Sequence, residues 1–143
     1  MTASADAPGF ARLVIHTDGA ARGNPGPAGL GAILRTPDGG VVAELAEFLG
    51  HRTNNHAEWR AVEAALVEAK RLGARHVDLR MDSQLVARQI TGHYRVKHPD
   101  LIPIHARVRE LLSQFEGYSV GHVPRELNKD ADRLSNVAID ERR

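Results

Sequence analysis

The chain has no cysteine among its 143 residues, few aromatic side chains (4%) and a formal net charge of only +1. The absence of cysteine excludes disulfides, thiolate zinc sites, iron–sulfur clusters and thiol nucleophiles, so any metal must bind oxygen or imidazole ligands. Charged residues interrupt every apolar stretch before the roughly 18 residues that a membrane helix needs. We therefore expect no contact with a membrane.

The start of the chain also lacks the basic and hydrophobic segments that define a secretory signal peptide. Residues 1–9 are predicted to form a flexible tail. With no export signal and no cysteine, the expected location is the cytoplasm.

What is present is the composition of one folded domain. Apolar residues make up 42% of the chain and charged residues 26%, which excludes a disordered or collagen-like protein. A domain typically uses about 150 residues, and no internal repeat or linker divides the sequence. We predict a single domain over residues 10–143. Nothing indicates an obligate dimer, so a monomer is expected.

Apolar periodicity and turn residues predict an antiparallel meander followed by β-α-β crossovers, which is an α/β domain with one mixed sheet. Asn54 or Asn55 is expected to cap the first helix and Gly73 to end it, whereas Pro103 predicts a late start or a kink in the third. The predicted order is strands at 12–17, 29–36 and 41–49, a helix at 55–72, a strand at 76–81, helices at 83–90 and 99–115, a strand at 118–123 and a helix at 126–141.

Two of these helices have apolar faces that should pack on the sheet. The first presents Val62, Ala65, Leu66 and Ala69, and the last presents Leu127, Ala131, Leu134 and Ala138. Glu58 lies four residues before Val62, on the apolar face of the first helix. A carboxylate on a buried face costs free energy unless something compensates its charge.

Acidic residues follow two of the predicted strands directly, Asp18 after the first and Asp82 after the fourth. Sites in α/β sheets form at the carboxyl ends of strands, so these two acids and Glu58 are expected to converge. An all-oxygen cluster of this kind suits Mg²⁺ or Mn²⁺. Each acid taken singly also has an ordinary interpretation, as a turn former, a helix cap or a partner of the helix dipole. For the last helix, spacing alone does not choose between Asp130 and Asp132.

Four segments, which run in order along nearly the whole chain, resemble the motifs of type 1 ribonuclease H. They are TDGAARGNPG at 17–26, TNNHAE at 53–58, DSQ at 82–84 and NKDADRL at 128–134. The resemblance implies the ribonuclease H-like fold, a five-stranded mixed sheet in which three antiparallel strands precede two parallel ones, flanked by helices. It also implies endonucleolytic hydrolysis of the RNA strand of an RNA–DNA hybrid, which leaves 5′-phosphate and 3′-hydroxyl ends.

The resemblance further implies a catalytic site with two Mg²⁺ ions, for which Mn²⁺ can substitute. Its metal ligands would be Asp18, Glu58, Asp82 and Asp132, with Asp18 shared and Asp132 nearest the nucleophile. Hybrid recognition depends on the 2′-hydroxyls of one strand. The candidates for substrate contact are Gly19, Gly23, Asn24, Thr53, Asn54, Asn55 and Gln84.

The sequence departs from the best-known members of this family before the last acidic residue. A gapless alignment gives His122 the role of the mobile-loop histidine that assists proton transfer or product release. Alignment on the Val-Pro pair gives the position to Arg125, as in a branch of the family with the pattern V-P-R-E-x-N-x-x-A-D. Because the sequence matches this branch, we favour Arg125. It is expected to act as a cation that binds substrate phosphate or aids release, and not as a general base, because a guanidinium does not deprotonate.

A second departure is the lack of the basic handle that some relatives insert between Ile90 and Pro99. The stretch from 88 to 109 nevertheless carries five Lys and Arg residues against one Asp, a charge of +4. It is expected to replace the handle weakly, which predicts modest affinity for the hybrid with steep salt dependence.

Two other functions are consistent with such a fold. One is a different metal-dependent nuclease of the same fold, against which the DSQ and TNN segments argue. The other is a non-catalytic hybrid-binding module, which would be expected to have lost a carboxylate, whereas all four are present.

Overall fold

The structure, a computed structural model, describes residues 9–142. Apart from Gly9, the predicted tail lies outside the described residues, and the division into tail and domain stays a prediction. Gly9 itself packs on a turn, since a Cβ placed there would lie 1.7 Å from the carbonyl oxygen of Gly73. None of the helices in the described part of the chain is long and apolar enough to cross a membrane.

The predicted mixed sheet of five strands is confirmed. The strand order is β3-β2-β1-β4-β5. β1 pairs antiparallel with β2 and β2 with β3, whereas β4 runs parallel to both β1 and β5. The strands are β1 at Arg12–Ala21, β2 at Gly26–Arg35, β3 at Val41–Arg52, β4 at His76–Met81 and β5 at Gly117–His122.

The helices cover the two faces of this sheet. The main core, which includes Leu13, Leu79 and the fully buried Trp59, lies between the sheet and the first three helices. The last helix packs on the opposite face, chiefly against β2. The helices are α1 at Asn54–Arg71, α2 at Gln84–Ile90, α3 at Ile102–Ser113 and α4 at Lys129–Glu141, and a 3₁₀ turn at Arg125–Leu127 precedes α4.

Several predicted boundaries are wrong by a few residues. β1 continues through Asp18 to Ala21, because its residues still pair with β2, with Gly19 opposite Leu30. Asp18 therefore lies within the strand and not after it. The N-cap of α1 is Thr53, whose Oγ1 accepts a hydrogen bond of 3.1 Å from the amide of His56.

The prediction for the last helix also needs correction. A continuous helix from residue 126 would place Leu127 on the core face, but Leu127 is 64% exposed. The chain leaves helical geometry at Asn128, where φ is −123°. The buried Asn128 side chain donates a 2.9 Å hydrogen bond from Nδ2 to the carbonyl of Thr17, which ties the start of α4 to β1. The predicted core residues Ala131, Leu134 and Ala138 are buried.

Glycines allow both α1 and α4 to lie unusually close to the sheet. A Cβ at Gly19 would lie 2.2 Å from the carbonyl carbon of Ala57 in α1. A Cβ at Gly31 would lie 2.3 Å from the carbonyl oxygen of Ala131 in α4. Because real side chains do not tolerate such distances, these glycines set the depth at which the two helices and their acidic residues sit.

Candidate active site

Three carboxylates meet at the carboxyl ends of the two central parallel strands. Thr17 pairs with Met81 in the β1–β4 ladder, so Asp18 and Asp82 follow at neighbouring positions. Glu58 reaches them from the first turns of α1, which rests on Gly19. Asp18, Glu58 and Asp82 each offer an oxygen such that all three atoms lie within 4.8 Å of one another.

No lysine or arginine among residues 9–142 forms an ion pair with any of these three acids. Burial raises the pKa of Asp18 to about 8, and the negative charge of Asp82 adds to the effect. The pKa of Glu58 is raised well above its usual value, mainly by burial and further by the negative charges of Asp18 and Asp82. Such a cluster is stabilised by a hard cation, and its all-oxygen donors are those that Mg²⁺ and Mn²⁺ prefer.

The structure separates the two acids that spacing alone could not distinguish. Asp132 lines the same cavity as the three converging carboxylates and also raises the pKa of Asp18. Asp130 faces a different, smaller cavity, where it forms an ion pair with Arg35. Asp132 is thus the fourth carboxylate that a metal or substrate in the main cavity would meet.

We expect the contribution of Asp18 to the stability of the metal-free protein to fall as the pH rises from about 4 to about 8. The pKa of Asp18 is 3.8 in an unfolded chain and about 8 in the folded one. Above pH 3.8 the unfolded chain releases this proton while the folded protein keeps it, so the equilibrium moves toward unfolding until Asp18 ionises in both states. Saturating Mg²⁺ should therefore raise the melting temperature more at about pH 8 than at about pH 5.

Thermal unfolding at the two pH values, with Mg²⁺ and with a chelator, measures this effect. The variant Asp18→Asn removes the titrating group and should show a smaller pH dependence. An equal gain from Mg²⁺ at both pH values in the wild-type protein would contradict the prediction.

The main cavity has a volume of about 880 Å³ and is one part of a longer groove. A second cavity of about 800 Å³ adjoins it and shares Asn24 and Asn55 with it. A third of about 320 Å³ shares His122. The cations and histidines that line the two outer cavities are His51, Arg52, His56 and His98 on one side and Arg88 and His93 on the other. The acidic centre therefore has one arginine on each side along the groove, Arg52 and Arg88, while the second cavity also contains one acid, Asp100.

Most of the predicted substrate contacts lie along this groove. Gly19, Asn24, Asn54 and Asn55 line the main cavity, while Thr53 lines the adjoining one. Asn54 accepts a hydrogen bond of 2.7 Å from the amide of Ala21 at its Oδ1, and its own amide donates to Oδ1 of Asn24 at 3.0 Å. These bonds join the β1–β2 loop to the start of α1.

The remaining predicted residues are more scattered. Gln84 lines the third cavity, whereas Gly23 lines none of the three. Gly23 instead has a φ of +98° in the β1–β2 loop, a conformation that favours glycine. His122 and Arg125 both line the main cavity, so the geometry does not choose between them.

Among the residues that line the main cavity and that sequence reasoning did not select are Arg22 and Asn136. Asn136 follows Asp132 by four residues, so it lies on the same side of α4. That spacing is a signal that could have identified Asn136 once Asp132 was chosen. Arg22 lies within the segment 17–26, beside Gly23 and Asn24. Its contact with α4 could not be predicted from local spacing, because it spans more than 110 residues of sequence.

Comparison with known proteins gives consistent matches over most of the chain. A family model described as reverse transcriptase-like matches residues 16–138. Ribonuclease HI of Halobacterium salinarum is 48% identical over 130 residues, which cover 91% of this chain and 65% of that protein. The bifunctional protein Rv2228c of Mycobacterium tuberculosis is 46% identical over 130 residues, which cover 90% of this chain and 36% of that protein. The chain thus spans less than two thirds of the length of either relative.

Solved structures are similar in fold as well as in sequence. LC11-RNase H1, a protein isolated from compost and solved in complex with an RNA/DNA hybrid, has a TM-score of 0.86 and 38% identity. The similarity covers 91% of this chain and 98% of the LC11 chain. The crystal structure of the Halobacterium salinarum RNase H1 has a TM-score of 0.88.

Proposed function

The chain belongs to the type 1 ribonuclease H family, and on this premise we propose that it hydrolyses the RNA strand of RNA–DNA hybrids endonucleolytically, leaving 5′-phosphate and 3′-hydroxyl ends. The observation that carries the proposal is the cluster of Asp18, Glu58 and Asp82, in which one oxygen of each lies within 4.8 Å of the others. The cluster lies in the middle of a groove that has an arginine on each side. The solved LC11 relative, which is 38% identical, holds an RNA/DNA hybrid.

Asp18, Glu58, Asp82 and Asp132 would hold two divalent ions, Mg²⁺ or Mn²⁺. When bound, the ions would lower the pKa of the attacking water and stabilise the leaving 3′-oxygen. The protein's own contribution is to hold the carboxylates in place before substrate arrives. The supporting observations are the convergent oxygens and the raised pKa values of Asp18 and Glu58.

The groove around this centre would position the hybrid. Side chains of Asn24, Asn55 and Gln84, with the backbone near Gly19 and Gly23, would read the 2′-hydroxyls and the sugar edges in the minor groove. Thr53 and Asn54 would act beside them, at the start of α1. Of His122 and Arg125, we favour Arg125 for the phosphate or product-release role, as in the branch with the V-P-R-E-x-N-x-x-A-D pattern.

We expect the affinity for the hybrid to fall about 100-fold between about 50 and 200 mM salt. Within the +4 stretch at 88–109, Arg107 forms an ion pair with Glu63 at 2.8 Å, so it is not counted as a phosphate contact. The four cations that are counted are Arg88, Arg95, Lys97 and Arg109. Four phosphate contacts would give a logarithmic slope of roughly −3.6.

Binding titrations over this salt range measure the slope. Lys97→Ala should reduce its magnitude by about one. Lys70→Ala, an exposed lysine outside the stretch, should leave it unchanged. An affinity that does not change with salt would rule out the role of this segment.

The activity itself is tested with four end-labelled duplexes and strands: RNA–DNA, RNA–RNA, DNA–DNA and single-stranded RNA. Each is incubated with Mg²⁺, with Mn²⁺ and with a chelator. The proposal predicts metal-dependent cutting of the RNA in the hybrid alone, with 5′-phosphate products. Cutting of another duplex would indicate a different nuclease of the fold, and hybrid binding without cutting would indicate a binding module.

The remaining features of the proposal concern the protein as a whole. We propose a single catalytic domain over residues 10–143 after a tail at 1–9, acting as a monomer in the cytoplasm. Size-exclusion chromatography with light scattering tests the monomeric state.

A further inference from the structure

Asp132 reaches the acidic cluster from a different side of the sheet than the other carboxylates do. It lies in the first turn of α4, which packs on the face opposite α1. Unlike Asp18, Glu58 and Asp82, it is not part of the set of oxygens that lie within 4.8 Å of one another. Asp132 meets the cluster at Asp18, whose pKa it raises, and further contacts with Asp132 come from α4 itself.

Asn136 supplies such a contact from the next turn of α4. Its Nδ2 donates to the carbonyl oxygen of Asp132 at 3.0 Å and lies 3.4 Å from the Asp132 carboxylate oxygen Oδ1. Residues four apart on a helix lie one above the other on the same face. Asn136 is half-buried and lines the main cavity beside Asp132.

Arg22 holds Asn136 from the other side. Its Nη2 donates to Oδ1 of Asn136 at 3.2 Å, and its Nη1 donates to Oδ1 of Asp140 at 2.5 Å. Arg22 thereby contacts two successive turns of α4 from the β1–β2 loop. The loop itself is closed by a 2.8 Å hydrogen bond from the amide of Arg22 to the carbonyl of Pro27.

We propose that Asn136 is a positioning residue that orients the Asp132 carboxylate, and that Arg22, anchored by Asp140, fixes the orientation of Asn136. With Oδ1 bound to Arg22 and Nδ2 directed at Asp132, a flipped Asn136 amide would face both partners with the wrong group. The inference deepens the proposed two-ion site and so rests on the proposed function.

Direct contact with substrate is the competing role, because Arg22 and Asn136 both line the cavity. The two roles differ in what they change. A positioning residue alters the affinity for the metal and the turnover number, whereas a substrate contact alters KM for the hybrid at saturating metal.

The experiment compares Asn136→Ala, Arg22→Gln and the double variant with the wild-type protein. Calorimetric titration of Mn²⁺ without substrate should show about tenfold weaker binding in Asn136→Ala and a smaller loss in Arg22→Gln. The double variant should bind no more weakly than Asn136→Ala, since Arg22 acts through Asn136. In steady-state cleavage, kcat should fall and KM for the hybrid should stay unchanged.

Arg71→Gln is the matched control, because Arg71 makes a similar exposed contact, at 2.7 Å to Glu68, outside the groove. It should bind Mn²⁺ as the wild-type protein does. Unchanged Mn²⁺ affinity in Asn136→Ala, or losses that add in the double variant, would overturn the proposal.

The calorimetric result separates this inference from the proposed function. If the wild-type protein bound Mn²⁺ but failed to cut the hybrid, the proposed function would fail. Weaker Mn²⁺ binding by Asn136→Ala would still support the positioning role. Thermal unfolding of each variant checks that the protein is folded, and Arg22→Gln alters only an exposed side chain.

Discussion

Replacing Asp18 by Asn is expected to abolish cleavage of the hybrid while the protein stays folded. Asp18 is the buried member of the acidic cluster, and its neighbours Glu58 and Asp82 offer oxygens within 4.8 Å. Loss of a group that merely supports a metal ligand costs about 10- to 100-fold in activity, so loss of a central ligand should cost more than about 100-fold.

The same substitution should raise the melting temperature of the metal-free protein at about pH 8. The neutral amide is close in shape to the carboxylate, but it carries no charge to be buried or to repel Asp82. Because an unfolded protein is also inactive, this stability measurement is what makes the loss of turnover informative.

Asp130→Asn is the matched control for Asp18→Asn. Asp130 is an acid at the start of the same helix as Asp132, but it faces a separate cavity and pairs with Arg35. Its removal should leave turnover near the wild-type value. Wild-type turnover by Asp18→Asn would contradict the assignment of Asp18 as a metal ligand. An equal loss of turnover in Asp130→Asn would show that removing any acid in this region lowers activity.

The sequence was sufficient to predict the sheet and the convergence of Asp18, Glu58 and Asp82. Alternating apolar residues mark β1, and β4 is predicted with the observed ends, His76–Met81. Parallel pairing of β1 with β4 then brings Asp18 next to Asp82, independently of the conformation of the loops. Glu58 follows because it shares the apolar face of α1 with Val62, which is buried.

The features that sequence reasoning did not predict depend on contacts between distant residues. Thr53 caps α1 although two asparagines follow it, because Asn54 accepts a hydrogen bond from the amide of Ala21. The last helix begins at Lys129 because the Asn128 side chain binds the carbonyl of Thr17, 111 residues away. Local apolar periodicity cannot predict hydrogen bonds between residues this far apart in the sequence.

The same limit explains why Asp130 and Asp132 could not be separated from spacing. The predicted apolar face of the last helix included Leu127, but Leu127 is exposed and belongs to the 3₁₀ turn. A helix that begins at Lys129 and lies against Gly31 has a different rotation on the sheet. That rotation directs Asp132 to the cavity it shares with Asp18 and leaves Asp130 beside Arg35.

The second large effect is expected from a single added methyl group, in the variant Gly19→Ala. Its Cβ would lie 2.2 Å from the carbonyl carbon of Ala57 and 2.3 Å from the amide nitrogen of Glu58. Both atoms belong to the backbone of α1, so no side-chain rotation can relieve the clash. Overpacking of this kind costs about 1–3 kcal/mol or more, which should lower the melting temperature clearly.

Cleavage should fall further than the loss of stability explains. The helix must move away from β1 to admit the methyl group, and Glu58 moves with it, out of register with Asp18 and Asp82. A displacement of about 1 Å in a reacting group can reduce the rate by about 100-fold. Turnover is therefore measured well below the melting temperature of the variant, where the protein is folded.

Gly121→Ala provides the control on a neighbouring part of the same sheet. Gly121 lies in β5, and a Cβ there meets no atom of the described residues within 4 Å. Its melting temperature and turnover should stay close to the wild-type values. If Gly19→Ala behaved as Gly121→Ala does, α1 could move away from β1 without consequence. The close approach of α1 would then not be what places Glu58 in the acidic cluster.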